Sequence, residues 1–321
     1  MNAAVVHAYT EPPSYATFET PVAQAGEQLV TVTAAGLHPI VKALANGSHY
    51  GATGVLPFVP GVDGVGRTAD GTRVFFGAAR APFGTFAEQA LAASWMMIPL
   101  PDALDDATAA GIANPAMSSM AALVSRAKFV AGESVLILGA TGVAGQLSVQ
   151  VAKRLGARRI IAAGRNPEAL AKLQTLGADS VVSLTQEPAA LSDAFRKEIA
   201  AAEGVDVVLD YLWGPPAEAL LGVISQKGLK ARTPRVRYIQ IGNSAGANIS
   251  LPAATLRSSG LELLGSGFGS ASMEELRASV ANFFAIAAKD PFEFNKKVVP
   301  LSEVASAWNE KEEATRIVFQ P

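Results

Sequence analysis

Three glycines spaced three residues apart, Gly139-x-x-Gly142-x-x-Gly145, stand between an apolar segment and a segment with helical periodicity. Glycine lets the backbone approach a pyrophosphate closely, and a helix that begins there directs unpaired N–H groups at the phosphates. A tight strand-to-helix turn that binds nothing is the alternative explanation. We predict phosphate binding, with a binding set made of Gly139, Thr141, Gly142, Val143 and Ala144.

The residues after the next apolar segment indicate which dinucleotide the turn would take. Enzymes that prefer NAD usually have a carboxylate about 20 residues beyond the glycines, where it binds the ribose 2′-hydroxyl. This chain has Gly164-Arg165-Asn166 instead. Arginine pairs with a 2′-phosphate through two charge-assisted hydrogen bonds, and asparagine adds a neutral one. We therefore predict NADPH as the cofactor, the alternative being that Arg165 is a solvated surface residue.

The elements that would position these residues differ between the two parts of the chain. Before about residue 115, short β-like segments alternate with turns rich in Pro and Gly, which is typical of an irregular, mostly antiparallel domain. The predicted strands of this part are 3–6, 27–34, 64–69, 73–76 and 84–91, with 295–301 and 315–319 in the tail. We expect the tail to rejoin this domain.

From about residue 119, apolar strands alternate with helices, which predicts a parallel sheet covered on both faces. The predicted strands are 134–138, 159–163, 180–183, 205–209, 237–241 and 261–265, with helices at 144–155 and 167–176. The predicted fold class is therefore α/β, with a doubly wound parallel sheet plus a β-rich domain.

Composition excludes several classes of function. The chain has no cysteine among its 321 residues, so disulfides, thiolate catalysis and cysteine-bound zinc are excluded. Its net charge of −2 gives no basic surface for nucleic acid. No apolar run reaches the roughly 18–20 residues that span a bilayer. We expect no nucleic-acid or membrane partner and, in the absence of a secretion signal at the N-terminus, a cytoplasmic location.

Motifs of one family recur along the whole chain. Besides the glycine turn they are Ala34-Ala-Gly-Leu-His-Pro-Ile40, Pro60-Gly-Val-Asp-Gly-Val-Gly66, Gly84-Thr-Phe-Ala-Glu88, Pro99-Leu-Pro101, Gly177-Ala-Asp179 and Val299-Pro-Leu-Ser-Glu-Val304. Together they resemble the medium-chain dehydrogenase/reductase superfamily, in its zinc-free quinone oxidoreductase-like branch. The resemblance implies a GroES-like catalytic domain at 1–118, completed by 286–321, and a Rossmann NADPH-binding domain at 119–285, with the active site in the cleft between them.

The resemblance also bears on the metal. Zinc-dependent members of the superfamily bind their catalytic metal at three positions, which correspond here to His38, Val62 and Asn114, and Asp63 stands where they have a glutamate. One possible ligand out of three cannot form a tetrahedral zinc site. We therefore predict no metal, and direct hydride transfer from NADPH to a quinone or an α,β-unsaturated carbonyl compound.

Further site residues are implied by the resemblance. The nicotinamide would be bound after the fifth and sixth strands by Ile241, Gly242, Asn243, Ser266, Gly267 and Phe268, and Ser118 stands where relatives have a cofactor-contacting Thr. Each of these could equally belong to an ordinary strand-end loop. The catalytic candidates are His38, Tyr50 and Asn114. His38 would donate to the developing oxyanion, with Tyr50 or water delivering the proton, or would only pack under the nicotinamide.

Two other functions are alternatives to the predicted reductase, and the oligomeric state is a separate prediction. The chain could be a catalytically silent NADPH-binding sensor or structural protein, or an alcohol dehydrogenase-type enzyme with an unusual site. Relatives often pair their last Rossmann strand across a two-fold axis, so we expect a homodimer formed through 261–265.

Overall fold

The computed structural model describes residues 1–77, 79–225, 234–267, 269–311 and 314–321. These residues form two compact units, one made of 1–115 with 280–321 and the other of 116–279. The boundaries predicted at 118/119 and 285/286 lie a few residues from these divisions. No helix within the described ranges is long and apolar enough to cross a membrane.

The unit of residues 116–279 is built on a six-stranded sheet whose neighbouring strands are all parallel. Its strands in chain order are β8 (Ser134–Leu138), β9 (Arg159–Gly164), β10 (Ser180–Ser183), β11 (Val207–Asp210), β12 (Arg235–Gln240) and β13 (Gly260–Gly265). Their order in the sheet is β10-β9-β8-β11-β12-β13. The strand order therefore reverses between β8 and β11, the point at which doubly wound sheets bind dinucleotides.

Helices follow most of these strands. In chain order they are α3 (Val143–Arg154), α4 (Pro167–Thr175), α5 (Pro188–Ala201), α6 (Gly214–Ile224) and α7 (Ala253–Ser258). All five residues of β8 are buried, which explains why four consecutive apolar residues follow Ser134 instead of an alternating pattern. One core cluster joins residues of β8, β9 and β11 to α5 and α6, with Phe195, Leu220 and Tyr238 completely buried in it.

The other unit is mostly antiparallel β-structure. Its strands are β1 (Asn2–Val5), β2 (Ser14–Thr17), β3 (Glu27–Gly36), β4 (Asp63–Arg67), β5 (Arg73–Gly77), β6 (Gln89–Ala93), β7 (Met97–Pro99), β14 (Asn295–Pro300) and β15 (Thr315–Gln320). Sheet order is β14-β15-β3-β4-β5-β7, with β6 also paired to β3 and β1 paired to β2. The tail therefore completes this unit, and the predicted fold class is confirmed.

The remaining helices lie outside these two sets. They are α1 (Pro39–Ala45), α2 (Asp106–Met120), α8 (Met273–Ala287) and α9 (Val304–Ala307). A π-helical segment, Ala121–Arg126, follows α2 directly. Helices with i→i+5 bonding are rare and occur mainly as short segments near functional sites.

One predicted strand is wrong in its extent. The pattern predicts a single strand over 84–91, whereas β6 begins only at Gln89. A methyl group added at Gly84 would stand 2.3 Å from the carbonyl oxygen of Val59, so this glycine permits a close backbone approach. Phe86 N–H donates to the Pro60 carbonyl instead of to a strand partner. The Gly84 segment is thus a packed loop.

Candidate cofactor site and buried acid cluster

The glycine turn connects β8 to α3 and is fastened to the second strand of the sheet. The N–H groups of Gly139 and Ala140 both donate to the Ala163 carbonyl near the end of β9, at 3.0 and 2.9 Å. Gly139 has φ +82°, a conformation that L side chains rarely adopt. Gly139 therefore forms the turn, and its N–H is already in use.

The other two glycines serve different purposes. A methyl group at Gly145 would stand 2.3 Å from the Gly139 carbonyl oxygen, so the fold itself requires glycine there. At Gly142 the added methyl group would meet a single atom, at 3.7 Å, and φ is an ordinary −75°. Packing and backbone conformation thus leave Gly142 unexplained. A ligand that approaches the backbone at this point would explain it.

The start of α3 suits an anionic ligand. Gly142 is the N-cap, and the following N–H groups of Val143 and Ala144 have no acceptor within the helix. The first turn carries no acidic residue, so the positive end of the helix dipole is not neutralised. The residues at the turn therefore fit the pyrophosphate of a dinucleotide.

The end of β9 adds a cationic side chain. A methyl group at Gly164 would stand 2.3 Å from Thr141 Cγ2, so Gly164 makes room for the turn. Arg165 is exposed and, within the described residues, forms no ion pair with a carboxylate. Asn166 caps α4 by accepting a hydrogen bond from Ala169 N–H at 3.0 Å, a role that the sequence did not predict. Its amide group remains the part that could donate to a phosphate.

A buried acid, Asp210, ends β11 beside the point where the strand order reverses. One carboxylate oxygen accepts from the N–H groups of Leu212 and Trp213 at 2.8 and 3.0 Å, and the other accepts from Tyr238 Oη at 2.7 Å. The side chain is fully buried, and burial raises the pKa of this carboxyl although all three donors act to lower it. Burial likewise raises the pKa of the Tyr238 hydroxyl.

The loop that Asp210 anchors is strained and densely bonded. Trp213 has φ 58° and ψ −161°, a region nearly confined to glycine that costs about 1–3 kcal/mol for other residues. Tyr211 Oη lies 2.7 Å from Ser148 Oγ on α3 and 3.2 Å from Ser118 Oγ. Ser118, predicted to contact the cofactor, thus shares its hydroxyl with Tyr211. Sequence reasoning missed Asp210 and Tyr211.

The segments predicted to bind the nicotinamide follow β12 and β13. The N–H groups of Ile241 and Gly242 donate to the Asp210 main-chain carbonyl at 2.7 and 3.1 Å. A methyl group at Gly242 would stand 2.7 Å from the Tyr211 carbonyl oxygen. Asn243 lies on the same loop, and Gly267 exchanges hydrogen bonds with Ser270. Phe268 lies outside the described residues, and Ser266 N–H donates to the Gln240 carbonyl at 2.8 Å.

In the β-rich unit, Asp63 joins two of the three predicted catalytic residues. Its Oδ1 lies 3.2 Å from His38 Nε2, and its Oδ2 accepts from Asn114 Nδ2 at 2.8 Å. His38 and Asp63 are only 1% and 5% exposed. A carboxylate accepts, so the neutral His38 ring carries its proton on Nε2. His38 Nδ1 is buried without a hydrogen-bond partner among the described residues.

Tyr50, the third predicted catalytic residue, is in a different setting. It is 76% exposed, and its ring lies against the His49 ring with 4.1 Å between centroids. Partial burial lowers the pKa of His49. Across the described ranges, no group of three or more His, Asp or Glu side chains could hold a metal ion.

Comparisons with known proteins agree with this architecture. Residues 144–285 match the family described as zinc-binding dehydrogenase, a region that does not include His38, Val62 or Asn114. A probable NADPH-dependent quinone reductase of Emericella nidulans is 28% identical over the full length of both chains. The quinone oxidoreductase of Pongo abelii is 30% identical over 65% of this chain and 64% of that one. The quinone oxidoreductase of Thermus thermophilus, solved also as its complex with NADPH, is 25% identical with a TM-score of 0.79 over 100% of both chains.

Proposed function

Since the chain belongs to the medium-chain dehydrogenase/reductase superfamily, in its quinone oxidoreductase-like branch, we propose that it is an NADPH-dependent oxidoreductase whose acceptor is a quinone or an α,β-unsaturated carbonyl compound. The observation that carries the proposal is the open space at Gly142, where the fold itself would accommodate a side-chain methyl group. Together with the free N–H groups that begin α3, this space supports a bound pyrophosphate.

The side chains around the turn support NADPH over NADH. Arg165 is an exposed cation without a carboxylate partner within the described residues, at the end of the second strand. A carboxylate at this position would repel a 2′-phosphate, whereas the guanidinium pairs with it. When bound, NADPH supplies a hydride from its nicotinamide ring.

Once the acceptor has taken up the hydride, its oxygen needs a proton, and we propose His38 as the donor of that proton. Because Asp63 accepts from Nε2–H, only Nδ1 is free to exchange a proton with another group. The neutral ring has a lone pair on Nδ1, so His38 donates from this atom only as the imidazolium ion. Asp63 orients the His38 ring and Asn114 holds Asp63 in place, an arrangement that also orients histidines in other enzymes. The expected role of Tyr50 stays a prediction.

The test is stopped-flow oxidation of NADPH by the purified protein with a panel of quinones, enones and simple ketones. We expect turnover with a conjugated acceptor and none with the simple ketones. Tight NADPH binding without oxidation by any acceptor would instead identify a catalytically silent binding protein. Alcohol oxidation accompanied by protein-bound zinc in metal analysis would identify an alcohol dehydrogenase-type enzyme.

A further inference from the structure

We propose that Asp210 is a positioning residue of the dinucleotide site, because its carboxylate fixes the loop 211–213 against both the glycine turn and the loop that follows β12. The inference rests on the proposed function in so far as that site binds NADPH. It adds a residue that lies away from the glycine pattern and whose side chain is fully buried. Asp210 therefore acts on the cofactor through its neighbours.

Both oxygens of the Asp210 carboxylate accept hydrogen bonds, from three donors in total. It accepts from Leu212 N–H, Trp213 N–H and Tyr238 Oη, and no Lys or Arg of the described chain pairs with it. A buried carboxylate without a cation is costly unless its oxygens are satisfied by donors. Two of the donors are backbone groups of the loop, so keeping the carboxylate satisfied also keeps the loop in place.

Trp213 explains why the loop needs such an anchor. Its φ of 58° and ψ of −161° are unfavourable for any side chain other than glycine, so the loop would relax if it were free. The Trp213 ring also lies edge-on to Tyr238, with centroids 6.4 Å apart. Tyr238 thus holds the loop twice, by donating to Asp210 and by packing on Trp213.

On one side the loop supports the glycine turn. A methyl group added at Gly139 would stand 3.0 Å from Leu212 Cδ2, so this side chain packs directly on the turn. Tyr211 Oη lies 2.7 Å from Ser148 Oγ in the helix that the turn begins. A shift of the loop would therefore move the N–H groups predicted to face the pyrophosphate.

On the other side the same loop supports the segment predicted to bind the nicotinamide. Ala245 N–H donates to the Leu212 carbonyl at 2.8 Å, and Ser244 Oγ donates to the Tyr211 carbonyl at 3.1 Å. The Asp210 carbonyl receives the N–H groups of Ile241 and Gly242. One carboxylate thus sets the spacing between the phosphate and nicotinamide ends of the site.

The experiment compares two ligands in Asp210→Asn. NADPH needs both ends of the site. 2′,5′-ADP lacks the nicotinamide riboside and one of the two phosphates of the pyrophosphate, so its binding depends mainly on the end that includes Arg165. We expect the Kd for NADPH to rise about tenfold, as for the loss of one hydrogen bond to a charged group, and the Kd for 2′,5′-ADP to rise less than about threefold. Both constants are measured by calorimetry, together with Tm.

Asp206→Asn is the matched control. Asp206 lies at the amino end of the same strand, where its carboxylate accepts from Ser134 N–H and Ser134 Oγ at 2.8 and 2.9 Å. We expect this variant to lower Tm while leaving the ratio of the two Kd values unchanged. Equal ratios in Asp210→Asn, Asp206→Asn and the unsubstituted protein would overturn the inference and leave the proposed function standing.

Tyr238→Phe keeps the inference testable if Asp210→Asn does not fold. It removes only one donor to the carboxylate and keeps the ring that packs on Trp213. We expect the Kd for NADPH to rise about threefold with little change for 2′,5′-ADP. An unchanged ratio of the two constants in this variant would also overturn the inference. Failure of the unsubstituted protein to bind NADPH at all would overturn the proposed function itself.

Discussion

Single residues in this chain divide into those whose type alone predicts a role and those whose contacts depend on a residue distant in the sequence. Gly142 and Arg165 belong to the first kind, because spacing and charge alone suggested phosphate binding. Asp63 and Asp210 belong to the second kind. Asp63 joins His38 and Asn114, which are 25 and 51 positions away, and Asp210 accepts from Tyr238, 28 positions away. No local pattern indicates contacts at such separations.

The open space at Gly142 predicts that a substitution there weakens NADPH binding more than it lowers the folding stability. Gly142→Ala should cost only about 0.5–1 kcal/mol of folding free energy, the difference between Gly and Ala at an N-cap, while sharply weakening NADPH binding. Gly145→Ala should cost more, about 1–3 kcal/mol, because its methyl group would overlap the Gly139 carbonyl. Urea unfolding and NADPH titration of both variants provide the comparison. Unweakened NADPH binding in Gly142→Ala would show that the space is not used by a ligand.

Arg165 gives a prediction about cofactor preference. Arg165→Ala should raise the Kd for NADPH about 10- to 100-fold, as expected for the loss of charge-assisted hydrogen bonds, and leave NADH nearly unchanged. Arg196→Ala, which removes an exposed arginine paired with Asp193 on α5, is the control and should affect neither cofactor. Equal losses for NADPH and NADH in Arg165→Ala would separate this residue from the 2′-phosphate.

At the scale of elements, short strands of the parallel sheet were the easiest to predict. The fully buried strand Ser134–Leu138 and the edge strand Ser180–Ser183 both have the bounds that their sequence patterns indicate. The strand predicted at 84–91 was wrong because the close approach of Gly84 to Val59 is a tertiary contact. The π-helical segment Ala121–Arg126 was also not predicted, since nothing in its residue types separates it from an α-helix.

The start of α2 carries an ion pair that gives a pH prediction. Asp105 accepts from Thr108 N–H and from Lys296 Nζ, both at 2.8 Å, which connects α2 to β14. Partial burial acts to raise the pKa of Asp105, but the hydrogen bonds from Lys296 and Thr108 outweigh it and bring the pKa to about 2. The usual value in an unfolded chain is about 3.9. The stabilisation is therefore fully present above about pH 4 and is lost as the pH falls through about 2.

Lys296→Gln tests this coupling. It removes the cation and the part of the pKa shift of Asp105 that Lys296 causes, so the free energies of unfolding of the two proteins should differ near neutral pH and converge as the pH falls below about 4. Because the Asp105 side chain is largely exposed, we expect a difference of less than about 1 kcal/mol. Urea unfolding at a series of pH values measures it. A difference that stays constant down to about pH 2 would contradict the assigned role of Asp105.

For the whole molecule, the sequence was sufficient to predict the class of fold and the return of the tail to the β-rich unit. Both follow from patterns of apolar residues and turns that hold within each segment. The contacts of the two buried carboxylates, Asp63 and Asp210, could not be predicted, because they depend on which elements become neighbours. The strand order β10-β9-β8-β11-β12-β13 is what brings Asp210 beside Tyr238 on β12.

The homodimer that we expect to form through residues 261–265 can be tested on the intact protein. β13 is an edge strand of the parallel sheet, and it carries Leu261, Leu263 and Leu264. An apolar edge of this kind favours pairing with a second copy. Sedimentation velocity over a range of concentrations should give the mass of a homodimer. A mass of 33.1 kDa at every concentration would contradict the prediction.

The β-rich unit is made of two separate parts of the chain, 1–115 and 280–321, and this limits the order in which the molecule can fold during synthesis. β3 pairs with β15 through Gly36 and Ala35, whose partners are Val318 and Phe319. A ribosome must therefore have released the chain as far as Phe319 before that pairing exists. The parallel sheet is complete in sequence once Gly265 has emerged. Because domains generally fold as units during synthesis, the unit of residues 116–279 can fold first, whereas residues 1–115 still lack the strands β14 and β15.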